Sequence, residues 1–202
     1  QQELCDALGK VDWSKLRERE QIDLVRAYQL ALIRLGPPTE MLRQTLVERV
    51  GGFFPTESPE LNQELCGLLV ALRSPHVVSK TLALLESAGT QQEKIHYMLS
   101  LRLPHLDWTD QQRKTYFAWF GEAKAYRGGE SFDSFTTQIF NEAIEHLDEV
   151  TKQKIRPLLG DAARGEDSAS ETIESGDATS RPIIRKWSVE DLDERLLRRK
   201  RS

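Results

Sequence analysis

The sequence has little that could cross-link the chain or bind a metal ion. Among 202 residues there are two cysteines, Cys5 and Cys66, and four histidines. The cysteines are far apart in helix-like segments, which excludes a disulfide framework and favours two small buried apolar side chains. Their number does not identify the compartment, because exported proteins can lack disulfides and cytosolic proteins can keep free thiols.

Long apolar runs and an excess of one charge are also missing. The longest run of apolar residues and glycine, residues 66–72, is far below the roughly 20 residues that a membrane-spanning helix needs. Basic and acidic residues number 28 and 32, so the net charge of −4 creates no field that would attract nucleic acid. We therefore predict no membrane span and no nucleic-acid partner.

Proline and glycine are few, at 8 and 12 residues, and mostly separate apolar segments of helical periodicity up to about residue 160. Two capping boxes, Thr90 with Glu93 and Thr109 with Gln112, mark helix starts, as does Ser58 before a proline. The pattern predicts helices over residues 18–35, 39–50, 58–72, 74–89, 90–103, 109–127, 131–147 and 151–159.

Consecutive predicted helices pair into units that begin near residues 20, 58, 90 and 131. These spacings are irregular but close to the roughly 40 to 47 residues of HEAT-type repeats. The short connections favour antiparallel neighbours, and no strand-like alternation competes with the helical pattern. We predict an all-α fold in which residues 1–160 form an irregular, HEAT-like α-solenoid of stacked antiparallel helix pairs.

The composition changes after residue 160. Residues 161–180 contain six acidic residues and four serines, which predicts a flexible linker. Residues 181–202 predict a helix with Trp187 at its start and a basic cluster, residues 195–201, at its end. This helix either docks on the helical body or leads into a further domain downstream. The chain begins at Gln1 rather than Met, which is typical of a processed product or an excised piece of a longer protein.

The basic cluster has two interpretations. Short basic runs serve in nuclear import and nucleic-acid binding, but they are also common as solvated chain ends. No aromatic residue stands between the charges of residues 195–201 to stack on bases. We therefore favour the solvated chain end.

No recognisable catalytic chemistry is present. Neither cysteine begins the Cys-x-x-Cys-His motif of covalent haem attachment, and Glu93 with His96 is the single Glu-x-x-His pair, which is insufficient for a metal site. Residues 129–133 begin like an esterase nucleophile elbow but end in Asp, so we interpret them as a helix end followed by a capping serine. We predict that the chain is not an enzyme and binds no cofactor or metal.

Aromatic residues are unevenly distributed, with nine of fifteen between positions 108 and 140. On the predicted helix 109–127, five side chains lie within an arc of about 120°: Tyr116, Trp119, Phe120, Ala123 and Tyr126. We interpret this aromatic stripe as core that packs against the next helix, through Phe132, Phe135, Ile139 and Phe140. The alternative is a contact surface for a neighbouring domain, because Trp and Tyr are favoured interface anchors.

Three stretches carry a family resemblance: DLVRAYQLALIRLG at residues 23–36, YFAWF and RGGESF within residues 108–132, and KWSVEDL at residues 186–192. They resemble the helical region of large exported haem-binding proteins of planctomycete type, often described as membrane-bound dehydrogenases. The resemblance covers most of residues 20–202. In that family a sugar-dehydrogenase-like β-propeller lies upstream and a small c-type cytochrome domain lies downstream.

The resemblance implies a non-catalytic helical repeat domain that spaces or docks partner domains within a larger exported haem protein. The c-type haem is expected in a downstream domain, because this chain reaches Ser202 without a Cys-x-x-Cys-His and no haem-binding residue can be carried over. The alternative is an independent HEAT-like or armadillo-like adaptor for a peptide or protein, with a cytoplasmic location as the alternative to export. The residues predicted to contact a partner are Trp108, Trp119, Tyr126, Arg127 and Trp187.

Overall fold

A computed structural model of the chain describes residues 1–103, 106–128, 132–145 and 147–159. Within these ranges the regular secondary structure is entirely helical, which confirms the predicted all-α class. In the described ranges, one 3-10 turn, Trp13–Lys15, accompanies nine α-helices. The helices are α1 (Gln2–Leu8), α2 (Glu18–Leu35), α3 (Glu40–Gly51), α4 (Pro59–Ala71), α5 (Val77–Ser87), α6 (Gln91–Leu101), α7 (Asp110–Ala123), α8 (Phe132–Glu145) and α9 (Glu149–Leu159).

The two predicted capping boxes form to different extents. At the start of α7, Thr109 Oγ1 accepts the N–H of Gln112 (3.2 Å) and Gln112 Oε1 accepts the N–H of Thr109 (2.8 Å), so the box is complete. At the start of α6, Thr90 Oγ1 accepts the N–H of Glu93 (3.2 Å). The Glu93 carboxylate instead accepts the hydroxyl of Tyr97 (3.3 Å), so the prediction of a second complete box is wrong.

Helix α4 begins as the sequence predicts, whereas α5 does not. Ser58 Oγ accepts the N–H of Leu61 (3.2 Å) and so caps the first turn of α4. The sequence predicts that α5 begins at Ser74, but its first residue is Val77. The N–H of Ser74 donates to the carbonyl of Leu69 (2.9 Å), and this bond makes Ser74 part of the end of α4.

Helix α7 ends four residues earlier than its periodicity predicts. Its last residue is Ala123, and the N–H of Tyr126 donates to the carbonyl of Ala123 (3.0 Å) in a turn. The side-chain amide of Gln91, at the start of α6, bonds both the N–H and the carbonyl of Arg127. Residues 124–127 therefore lie outside the helix, but the ring of Tyr126 still meets the ring of Trp119 edge to face, with centroids 5.8 Å apart.

Helices two positions apart along the chain are in contact. Helix α4 contacts α2 and α6, α6 also contacts α8, and α7 contacts α5 and α9. Sequential neighbours touch as well, namely α1 with α2, α3 with α4, α4 with α5, α5 with α6, and α7 with α8. Helices α4, α5, α6 and α7 therefore each lie against several other helices.

The core follows from this arrangement. Helix α4 contributes a buried, mostly aliphatic face: Leu61, Leu65, Cys66, Leu68, Leu69 and Val70. Both cysteines are free and fully buried, as the sequence predicts. In the part of the chain that the structure describes, no helix is long and apolar enough to cross a bilayer. The predicted linker 161–180 and the predicted helix 181–202, with Trp187 and the basic cluster, lie outside the described residues.

Candidate functional site

Most of the predicted aromatic stripe belongs to the core. Tyr116 and Phe120 are 1% and 6% exposed, and Phe117, which the stripe did not include, is also buried. The rings of Phe120 and Phe140 of α8 meet edge to face with centroids 5.2 Å apart, which confirms packing against the next helix. The prediction that Phe135 takes part in this packing is wrong, because that side chain is 39% exposed.

Trp119 is part of the same core, although the sequence also offered it as a partner contact. The side chain is 4% exposed, so its ring is shielded by the protein itself. Its Nε1–H donates to the hydroxyl of Tyr126 (3.2 Å), which donates in turn to Glu122 Oε1 (3.0 Å). Tyr126 is half-buried and Arg127 is exposed, so these two of the predicted contact residues are accessible at this end of α7.

An ion pair joins α6 to α7 beside Tyr126. Lys94 Nζ donates to Glu122 Oε1 (2.7 Å). This hydrogen bond holds the pKa of the Glu122 carboxyl below its usual value and raises the pKa of Lys94. Burial, and then the hydrogen bond to Glu122, raise the pKa of Tyr126. Near neutral pH, Glu122 and Lys94 therefore stay charged and Tyr126 keeps its hydroxyl proton, so the three side chains hold α6 and α7 together.

Trp108 lies at the opposite end of α7. Its ring is half-buried and meets Tyr116 edge to face at a centroid distance of 5.1 Å. It lines a small cavity of about 60 Å³ together with Arg102 and Arg113, which has room for a few water molecules only. Because α7 has 14 residues and rises about 1.5 Å per residue, Trp108 and Tyr126 are separated by roughly 20 Å along it.

Among the described residues, the predicted contact residues do not cluster at one place. Trp108 lies before the first turn of α7, Tyr126 and Arg127 follow its last turn, and Trp119 is in the core. Trp187 is outside the described residues. Any partner that contacts both Trp108 and Arg127 has to span the whole length of α7.

The buried thiol of Cys66 is not arranged as a nucleophile. Its Sγ lies 3.4 Å from Thr81 Oγ1, and burial raises the pKa of the thiol to about 11. A thiol of that pKa carries almost no thiolate near neutral pH. Among the described residues, no group of three His, Cys, Asp or Glu side chains is placed to hold a metal ion.

A groove near the amino terminus was not anticipated from the sequence. Trp13 and Phe53 line it and stack on each other, with centroids 4.3 Å apart and planes 7° from parallel. The half-buried guanidinium of Arg49 also lines it. The only signal in the sequence is that Trp13 and Phe53 are aromatic residues outside the rich segment 108–140. No local pattern predicts that residues 40 positions apart meet.

No family model, curated protein or solved structure matches this chain.

Proposed function

We propose that this chain is a non-catalytic α-helical repeat domain that spaces or docks neighbouring domains of a larger exported, haem-containing, dehydrogenase-like protein. The observation that carries the proposal is the contact between helices two positions apart. In stacked helical repeats each unit buries its apolar face against the adjoining unit, so such contacts recur along the chain. The kind of parent protein is proposed from the resemblance of residues 23–36, 108–132 and 186–192 to the planctomycete family.

An irregular α-solenoid accounts for the contact pattern. One row would contain α2, α4, α6 and α8, and a second row would contain α5, α7 and α9, which are the pairs in contact. The helix lengths, from 11 to 18 residues after α1, explain the uneven repeat spacing. A row of this kind presents a firm, extended surface without a catalytic cleft, which suits a spacer.

Polar contacts between helices of the same row support a fixed register. Arg26 of α2 pairs with Glu64 of α4 (2.7 Å), and Lys154 of α9 pairs with Asp110 of α7 (2.8 Å). Arg102, at the end of α6, pairs with a glutamate of α8. Exposed pairs of this kind contribute little free energy each, about 0 to 1 kcal/mol, so their value lies in selecting one alignment of the helices.

The parent-protein proposal is tested on the polypeptide made in the native cell. We expect an epitope tag placed before Glu18 at the native locus to label a larger polypeptide that stains for covalent haem on a denaturing gel. We also expect the reading frame to reach a Cys-x-x-Cys-His downstream of Ser202. Replacing the two cysteines of that motif is the matched control and removes the stain. A tagged polypeptide without covalent haem would overturn the proposal.

A second candidate is an independent adaptor that binds a partner polypeptide along a groove. The observation that favours it is the groove lined by Arg49, Trp13 and Phe53, which combines one cation with apolar walls. Helical repeat proteins commonly use such grooves for peptides. If the chain is such an adaptor, we expect the native polypeptide to lack haem and still to bind a peptide in the groove.

A further inference from the structure

The groove near the amino terminus lies between the segment that follows α1 and the helices α2 and α3. Its volume is about 360 Å³, within the range of small-ligand sites. Its walls are formed largely by apolar side chains: Leu8, Val11, Trp13, Leu24, Val50 and Phe53. An apolar body about the size of one large side chain fits such a space.

Arg49 is held in this groove by neutral groups. Its Nη1 donates to the carbonyl of Cys5 (3.2 Å) and to the hydroxyl of Tyr28 (3.4 Å). The guanidinium packs directly on Gly9, where a Cβ atom would lie 1.8 Å from Nη1 and 2.6 Å from Nη2. Glycine at position 9 therefore makes the space that the guanidinium occupies.

The other edge of this guanidinium is unused by the protein. Nε and Nη2 carry three N–H groups, and none of them donates to an acceptor within the described residues. No carboxylate of those residues forms an ion pair with Arg49. The Nε and Nη2 edge is the fork that binds a carboxylate with two parallel hydrogen bonds.

The one acidic residue that lines the groove is already engaged. Asp12 Oδ1 accepts hydrogen bonds from the N–H and the hydroxyl of Ser14, and its Oδ2 pairs with Lys15 Nζ (3.2 Å). These contacts satisfy the Asp12 carboxylate and leave the positive charge of Arg49 uncompensated. The groove therefore presents a positive centre against apolar walls.

We propose that this groove binds the apolar C-terminal residue of a partner polypeptide. The terminal carboxylate pairs with the free edge of Arg49, and the last side chain packs on Trp13 and Phe53. A C-terminal residue suits the site because its carboxylate and its apolar side chain are attached to the same carbon atom. The site does not depend on the spacer role, since it can serve a neighbouring protein in either proposed function.

The test measures binding of short peptides to the full chain by isothermal titration calorimetry. One probe is acetyl-Ala-Ala-Ala-Phe with a free terminal carboxylate, and the other is the same peptide with a terminal amide. We expect saturable binding of the free acid and at least about tenfold weaker binding of the amide, because charge-assisted hydrogen bonds are lost. Equal binding of the two peptides, or no binding of either, overturns the proposal.

A third peptide separates a chain end from a side-chain carboxylate. Acetyl-Ala-Phe-Glu-Ala-amide carries the same groups within the chain. We expect it to bind at least about tenfold more weakly than the free acid, because its carboxylate is farther from the aromatic ring. Binding as strong as that of the free acid would overturn the assignment to a C-terminal residue.

Two variants test the role of Arg49 itself. Arg49→Gln removes the charge, and Gly9→Ala places a methyl group where the guanidinium lies, at a position whose φ of −70° alanine adopts readily. We expect each to weaken binding of the free acid at least about tenfold. Arg34→Gln is the matched control, because Arg34 is an exposed arginine of α2 that does not line the groove.

The variants remain informative if one of them folds poorly. Circular dichroism and thermal melting identify a folded variant, and a folded Arg49→Gln or Gly9→Ala that binds like the unmodified chain overturns the proposal. The comparison of free acid with amide uses the unmodified chain, so it decides the question even if both variants unfold.

Discussion

Arg73 has a backbone conformation that side chains other than glycine seldom adopt. Its φ is 52°, and it follows the last turn of α4. The N–H of Arg73 donates to Val70 and the N–H of Ser74 donates to Leu69, which together form the Schellman motif that ends the helix. Glycine is the usual residue at this position, because a Cβ atom is strained there.

We predict that Arg73→Gly stabilises the protein. Relief of the left-handed strain should raise the free energy of unfolding by about 1 kcal/mol, less the entropy that glycine adds to the unfolded chain. Urea denaturation followed by circular dichroism measures the change. The control is Arg73→Ala, which removes the same side chain but keeps the Cβ atom, and it should not stabilise. An equal gain in both variants would assign the effect to the arginine side chain instead.

The two cysteines test the burial of the core directly. We predict that neither Cys5 nor Cys66 reacts with Ellman's reagent in the folded protein at about pH 8, and that both react in denaturant. Both thiols are fully buried, and burial raises the pKa of each. Cys66→Ala should leave a single reactive thiol after denaturation. Rapid reaction in the native state would contradict this packing.

The same pKa shifts determine how stability depends on alkaline pH. A folded-state pKa of about 11 for Cys66 lies above the ordinary value of 9.0. The unfolded chain therefore loses this proton first, and ionisation of the thiol favours unfolding as pH rises above 9.0. Cys66→Ala should lose less stability over that pH range than the unmodified chain does.

At the level of single helices, the start signals were more reliable than the ends. The Thr109 and Gln112 pair predicts the start of α7 because both bonds of the box join residues three positions apart. The end of α7 depends on Gln91, which is 36 positions from Arg127. A local sequence pattern can show a bond between residues three positions apart, but it cannot show a bond between residues 36 positions apart.

We predict that Thr109→Ala lowers the free energy of unfolding by about 1 kcal/mol, because the first turn of α7 loses its side-chain cap. Thr115→Ala, within the same helix, is the matched control. Thr115 Oγ1 donates to the carbonyl of Gln111 (3.2 Å), a bond that helix interiors do not need. Chemical denaturation compares the two variants. A larger loss for Thr115→Ala would contradict the capping argument.

For the molecule as a whole, the contact pattern predicts that stability is transmitted between neighbouring helices. Phe120 of α7 is 6% exposed and packs on Phe140 of α8. Phe120→Ala should cost about 3 to 5 kcal/mol, through lost apolar contact and a residual cavity. In a stack of helices, this loss of stability is largest in α7 itself and in the helices that contact it.

Hydrogen exchange measures where that loss falls. We predict that Phe120→Ala lowers the hydrogen-exchange protection of amides in α7, α8 and α9 more than in α2, because the Phe120 ring packs on rings of α7 and α8. Val25→Ala, in the buried face of α2, is the control and should give the reverse pattern. A uniform loss across all described helices in both variants would contradict a solenoid and indicate a single cooperative unit.

The sequence by itself determined the helical class and the position of most helices. Those features depend on apolar periodicity and on caps, which act over three or four residues and are visible in the order of residues. Only the tertiary structure decided where α7 ends, which aromatic rings are buried, and that Arg49 rests on Gly9. The end of α7 and the position of Arg49 depend on residues about 35 to 45 positions apart, for example Arg49 and Cys5, which are separated by 44. The buried rings of Phe120 and Phe140 belong to two different helices. Local propensity contains no information about such distant pairs, because their geometry exists only once the helices have packed.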